Sequence, residues 1–164
     1  MTGKLDITAQ GECEIVIKRM FEAPPQLVFE AHTVPALLKR WLTGPEGWSL
    51  SRCEVDLRVG GAFRYEWSHA DGRAIGMGGT YREVEPPLRL VATELFDEDW
   101  TGGETINSLT FEAVGEHCRL TTIVRYASAA ARDGALRSNM EAGMAVSYVK
   151  LDAMLAGAPI EPAA

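Results

Sequence analysis

Apolar residues recur along this chain at two spacings, and the change from one to the other predicts its elements. From Glu12 to Phe21, Cys13, Ile15 and Ile17 share one face of an alternating run, the period of a half-buried strand. Pro24 and Pro25 end it, and Pro25 suits the first turn of a helix. Leu27, Val28, Phe29 and Ala31 then read as a short helix. Pro35 opens a second one through Leu37, Leu38, Trp41 and Leu42, which Gly44 and Pro45 close. Alternation returns over Arg52 to Val59, with Cys53, Val55, Leu57 and Val59 opposite four charged residues. Gly60 and Gly61 turn the chain into a strand carrying Phe63, Tyr65 and Trp67, and Asp71-Gly72 makes a hairpin into Met77 to Glu85. Pro86 and Pro87 stop that run. Further strands follow at Leu88 to Phe96, Thr105 to Ala113 and Cys118 to Tyr126, separated by an acidic loop and by Gly115.

From Ala131 to Ala156 the period lengthens to that of a helix. Leu136, Met140, Gly143, Met144, Ser147, Leu151, Met154 and Leu155 fall on one stripe, and Gly157 and Pro159 are terminators. A helix of that length reaches ~37 Å and can cross a small sheet. The order of strand, two short helices, six strands and a long helix predicts an α+β fold. Strands joined by short connections favour an antiparallel meander, because parallel neighbours need long crossovers. The apolar face of such a sheet needs a cover that only the C-terminal helix is long enough to supply. A curved sheet wrapped around one helix leaves space between them, floored by the short helices, and a ligand pocket is expected there. Residues 1–11 are expected to be a flexible N-terminal segment, 12–157 the folded domain and 158–164 a C-terminal tail.

Composition narrows the function classes. The 164 residues are 46% apolar and 24% charged, enough for a self-sufficient core in one domain. A formal charge of −7 argues against nucleic acid as a partner, since phosphate binding rests on a basic surface. Apolar runs stay far short of the ~20 residues of a membrane-spanning helix, so membrane insertion is not expected. The first ten residues lack a basic start followed by an apolar stretch, and the cytoplasm is the default expectation. Cys13, Cys53 and Cys118 are odd in number and far apart, which suits buried thiols rather than a disulfide framework.

Several chemical signals are weak on inspection. Gly76-Met77-Gly78-Gly79 lacks the strand-to-helix context and the following lysine of a phosphate loop; glycines within a strand mark a bulge or close backbone approach. His32, His69 and His117 have no ligand spacing, so no metal is expected. His69 and His117 fall at turns. No Gly-x-Ser-x-Gly elbow accompanies Ser147, which suits a hydrogen bond within the helix or a place on the pocket border. Glu94 shares phase with Leu90, Ala92 and Phe96, and Thr122 and Tyr126 share phase with Leu120 and Val124. On a cavity wall these polar groups could orient a ligand or move a proton; at a strand end or on the solvent side Glu94 would do neither. The aromatic and methionine set is the strongest binding signal. Trp41, Trp48, Phe63, Tyr65, Trp67, Phe96, Trp100 and Phe111, with Met140 and Met144, would line either a core or an open cavity.

The run Ile17-Lys18-Arg19-Met20-Phe21-Glu22-Ala23-Pro24, with Val28-Phe29-Glu30-Ala31, Pro35, Leu38 and Arg40-Trp41, resembles the start of a START-like, helix-grip domain. It is similar to the branch homologous to the C-terminal domain of activators of the heat-shock-protein-90 ATPase. Asp56-Leu57-Arg58-Val59-Gly60-Gly61-Ala62-Phe63-Arg64 matches that branch's strand-turn-strand signature, Gly76 to Val84 with Glu85-Pro86-Pro87-Leu88-Arg89-Leu90 continues it, and the likeness runs from Glu12 to Ala156. It implies a bent antiparallel sheet gripping the C-terminal helix around a cavity for an apolar or amphipathic molecule. Met144 stands where an aromatic residue often follows the helix glycine, a softer lining group. The expected ligand-binding residues are Trp41, Phe63, Tyr65, Trp67, Glu94, Phe96, Phe111, Thr122, Tyr126, Met140, Met144 and Ser147. No cofactor is implied. A small-molecule binder leads, and a cyclase- or hydrolase-type enzyme in the same cavity and a chaperone-interacting module stand as alternatives, because such folds host binders and enzymes alike. A chaperone partner and a homodimer stay open.

Overall fold

The computed structural model describes residues 3–99 and 102–157. Strands β1 (Asp6–Gln10) and β2 (Glu14–Phe21) form a first hairpin, followed by helices α1 (Pro25–Thr33) and α2 (Pro35–Trp41). Six strands follow: β3 (Trp48–Val55), β4 (Ala62–His69), β5 (Ala74–Glu85), β6 (Arg89–Phe96), β7 (Thr105–Val114) and β8 (His117–Arg125). Helices α3 (Ala129–Arg137) and α4 (Met140–Gly157) close the described chain. The strands make one eight-stranded antiparallel sheet in the order β1-β2-β8-β7-β6-β5-β4-β3. The meander therefore runs from β3 to β8, and the first hairpin adds to its far side. Helices α1 and α2 carry the chain from one side of the sheet to the other. This is the α+β helix-grip architecture.

Inner and outer faces follow the alternation of each strand. Ile15, Ile17 and Phe21 of β2, Leu90 and Ala92 of β6, Phe111 of β7 and Leu120 and Val124 of β8 are buried beneath the helices. On the outer face, Arg64 pairs with Asp97 and Glu66, and Arg119 with Glu112. The glycines of β5 serve close approach. A Cβ on Gly79 would lie 1.7 Å from the Thr93 carbonyl oxygen, and one on Gly76 would meet the Arg64 and Asp97 side chains.

Three expectations change. Residues 6–10, within the segment expected to be a flexible tail, form β1 and pair with β2 from Asp6↔Lys18 to Gln10↔Glu14. The strand expected over Arg52–Val59 instead begins at Trp48 and ends at Val55. The chain folds back as Asp56 N–H bonds the Ala62 carbonyl and Gly61 N–H the Arg58 carbonyl, which leaves Val59 64% exposed. Gly61 is required there, since a Cβ would lie 2.1 Å from the Asp56 carbonyl oxygen. The C-terminal helix expected to be continuous is broken between Arg137 and Met140. Asn139 takes φ 63°, and Ser138 Oγ donates to the Ala135 carbonyl, so two helices stand where the periodicity suggested one. Leu136 accordingly leaves the stripe and is exposed. No helix among the described residues is long and apolar enough to cross a membrane. Trp100 and the tail expected at 158–164 lie outside the described residues.

Candidate ligand-binding cavity

Between the sheet and α4 lies a cavity of about 460 Å³. The central strands contribute side chains at even spacing: Phe63, Tyr65 and Trp67 from β4, Met77 and Tyr81 from β5, Ala92, Glu94 and Phe96 from β6, and Thr105, Asn107 and Leu109 from β7. Thr122 and Val124 of β8, with Tyr126 just beyond it, continue the wall. Leu38, Trp41 and Leu42 floor it, and Met140, Gly143, Met144, Ser147 and Tyr148 of α4 roof it. The tryptophan N–H groups are turned away from this space. Trp41 donates to the Ala31 carbonyl at 2.9 Å and Trp67 to the Leu42 carbonyl at 2.9 Å, which fixes both indoles and leaves their faces apolar.

Eleven of the twelve residues expected on the wall are brought together there. The exception is Phe111. It is 1% exposed and packs edge-on against Phe29 and His32, so it belongs to the core under α1. Trp48 also falls elsewhere, edge-on to His69 and beneath the Arg73 guanidinium at the end of the β3–β4 pair. Glu94 lies on the inner face, not on the solvent side. His32, Tyr81, Asn107 and Tyr148 are wall residues that sequence reasoning missed. The in-phase spacing of Thr105 and Asn107 with Phe111 was a usable signal. Nothing in the sequence marked His32.

The polar groups of the wall differ in how they are satisfied. Asn107 Nδ2 donates to Thr105 Oγ1 at 3.0 Å. His32 Nδ1 lies 2.8 Å from the Val28 carbonyl, and its ring packs edge-on to Trp41; burial lowers its pKa to about 4, so it is neutral at pH 7. A neutral ring donates from Nδ1 there and directs Nε2 elsewhere. Burial alone raises the Glu94 carboxyl to about 7. The hydroxyls of Tyr65, Tyr81, Tyr126 and Tyr148 lie within electrostatic reach of it, and burial pushes each above the ordinary tyrosine value, that of Tyr148 to about 12. Among the described residues, no group of His, Cys, Asp and Glu side chains converges to hold a metal ion.

The roof is tied by polar contacts at its C-terminal half, while at its N-terminal end Met140 and Met144 pack on Ile15, Ile17, Val124 and Tyr126. Arg19, 2% exposed, makes a two-pronged ion pair with Asp152 of α4, Nη1 to Oδ1 at 2.7 Å and Nη2 to Oδ2 at 2.6 Å. Its guanidinium also lies over the rings of Phe21 and Tyr148. Lys150 Nζ donates to Thr43 Oγ1 at 2.6 Å and to the Gly44 carbonyl at 2.8 Å. Both ties hold the C-terminal half of α4, beyond the residues that roof the cavity.

A family model described as activator of Hsp90 ATPase homolog 1-like protein matches residues 22–156. The chain belongs to that family. Among solved structures, this member is similar to a Rhodobacter sphaeroides protein, with 36% identity and a TM-score of 0.89 over 94% of this chain and 99% of that one. An activator of Hsp90 ATPase homolog from Silicibacter pomeroyi is 26% identical, with a TM-score of 0.69 over 87% of this chain and 97% of that one. An HSP90 activator from Plasmodium falciparum is 26% identical, with a TM-score of 0.54 over 70% of this chain and 73% of that one. Comparison with curated proteins gives no match.

Proposed function

We propose that this family member binds an apolar or amphipathic small molecule between its sheet and α4. One observation carries this reading: the inner face and the covering helix do not fill the space between them. At about 460 Å³ the cavity is within the roughly 300–1,000 Å³ of small-molecule sites, and like them it has an apolar wall with few polar groups. The test is uptake of a fluorescent apolar probe, with native mass spectrometry of the purified protein for any co-purified molecule. Met144→Trp should lower probe affinity about tenfold or more by filling the space under α4. Unchanged uptake in that variant would place the binding site elsewhere, and no uptake by the parent would end the reading.

A second reading is a module acting on a chaperone, favoured by the family match and by the Plasmodium falciparum neighbour named as an HSP90 activator. It predicts that this chain alone stimulates a chaperone ATPase. The cyclase- or hydrolase-type alternative rests on Glu94, whose carboxyl near 7 is matched to proton transfer at neutral pH. The tyrosines around it stay protonated there, so they would serve as hydrogen-bond donors and not as bases.

A further inference from the structure

The charges on the cavity wall are one-sided. Glu94 is the only carboxylate among the described lining residues, and none of these is a lysine or arginine. His32, the only other wall group among the described residues that could carry charge near neutrality, is held neutral. Arg19, a buried arginine of the inner face, lies outside the cavity lining, and both of its Nη atoms are committed to Asp152. Among the described residues no side chain hydrogen-bonds the Glu94 carboxylate. Its backbone carbonyl alone is engaged, by Thr105 Oγ1. An acid so placed is an acceptor with four lone-pair positions and nothing to fill them.

We infer that the cavity selects amphiphiles bearing a protonated amine, with the ammonium seated on the Glu94 carboxylate and the hydrocarbon along the aromatic and methionine wall. The inference rests on the ligand-binding reading above and names the ligand class of that site. An ammonium supplies the missing charge and up to three donors, whereas a fatty acid or phosphate head would face a like charge with no cation to offset it. The rings of Tyr65 and Trp67, edge-on to each other on the same wall, add aromatic faces that a cation favours. A neutral alcohol brings one O–H donor and no charge to the carboxylate, so it gains less there than an ammonium does.

The seat also couples binding to pH. The groups facing Glu94 are Tyr65 of β4, Tyr81 of β5, Tyr126 after β8 and Tyr148 of α4, with His32 of α1 on the same wall; none of them titrates between pH 6 and 8. Below about 7 the carboxyl must lose its proton before it can pair with an ammonium. Amine affinity should therefore fall about tenfold per pH unit on the acid side, while alcohol affinity, which carries no charge pairing, changes far less.

The experiment displaces a bound fluorescent apolar probe with octylamine, octanol and octanoate, at low salt and from pH 5.5 to 8. At pH 8 octylamine should bind about tenfold or more tightly than octanol, and octanoate more weakly than either. Glu94→Gln should bring octylamine to the level of octanol, change octanol far less than octylamine and remove the pH dependence. The pH profile of the parent protein supplies a readout that needs no variant. Equal affinity for amine and alcohol in the parent, or an amine preference that survives Glu94→Gln, overturns the inference. Octanol bound without amine preference overturns the inference and spares the ligand-binding reading. Failure of every probe removes both.

Discussion

Along α4, residues two turns apart meet the same sheet in opposite ways. Tyr148, Leu151 and Met154 are buried against it, Leu151 completely, and Asp152 and Lys150 tie that half of the helix to β2 and to the loop after α2. Met140, Met144 and Ser147 are only half-buried, and the space they face stays open. The two inward-facing charges follow the same division. Arg19, at the filled end, has a two-pronged partner, while Glu94, at the open end among tyrosines, has no charged partner among the described residues. A buried charge that is paired holds elements together; one left unpaired is costly to the fold and makes sense as a recognition group.

The largest expected effect comes from breaking the paired charge. Asp152→Ala leaves the Arg19 guanidinium buried with one backbone acceptor, the Met20 carbonyl, and its Nε still unpartnered. Losing one partner of a buried pair costs about 3–5 kcal/mol, and the partial exposure of Asp152 puts this case near about 3 kcal/mol. Urea unfolding of parent and variant measures it. A loss under about 1 kcal/mol would mean that the pair is solvated and that the filled end is not held by charge. Arg19→Met should cost less than Asp152→Ala, since it removes the stranded charge instead of creating one.

This division was only partly legible in the sequence. Period-two alternation marked the inner face of β4 and β8 because one side of each strand is dry, so Phe63 and Thr122 were legible as inner-face residues. Glu94 stayed open between the wall and the solvent side, because β6 is buried on both faces over Leu90–Thr93. The same signal misled at Leu57 and Val59. They alternate as a strand does, yet the chain turns at Asp56 and Gly61, and hydrogen bonding rather than hydropathy decides that turn. Helical periodicity ran through Ser138 and Asn139 because a break of two residues barely disturbs a stripe. Arg19 shares the strand phase of Ile15, Ile17 and Phe21, but its partner is 133 positions away. Phe111 shows the remaining limit. Its phase is that of the wall, and only the position of α1 above it makes it core.

A smaller effect separates the unpaired charge from its surroundings. Folding raises Glu94 from 4.5 to about 7, so the folded state holds a proton that the unfolded chain releases, and stability falls as pH rises through that window. His32 is lowered from 6.5 to about 4, so the unfolded chain holds the extra proton and stability rises with pH. Between pH 4.5 and 6.5 these two slopes oppose each other. Glu94→Gln removes one of them and exposes the other. Relative to the parent, the variant should lose up to about 1.4 kcal/mol per pH unit on acidification across that range, and should be the more stable protein above pH 7. Other carboxylates titrate alike in both proteins and cancel from the difference. Parallel stability curves would show that Glu94 is solvated and would remove the contrast with Arg19.

The smallest effect on stability is expected at Met144, and there the smallness is the point. Truncating a methionine in a packed core costs about 2–5 kcal/mol, because a cavity opens and its walls relax only in part. Met144 packs on the buried clusters with one side and borders open space with the other, so Met144→Ala enlarges an existing cavity instead of opening a new one. It should cost less than about 1 kcal/mol by urea unfolding. The same truncation widens the space under α4, so affinity should shift toward bulkier apolar probes while the smallest ones bind more weakly. A loss of 2 kcal/mol or more would mean that side chains fill the space in solution. A small loss with altered probe preference would show that α4 grips the sheet at one end and leaves the other end to a ligand.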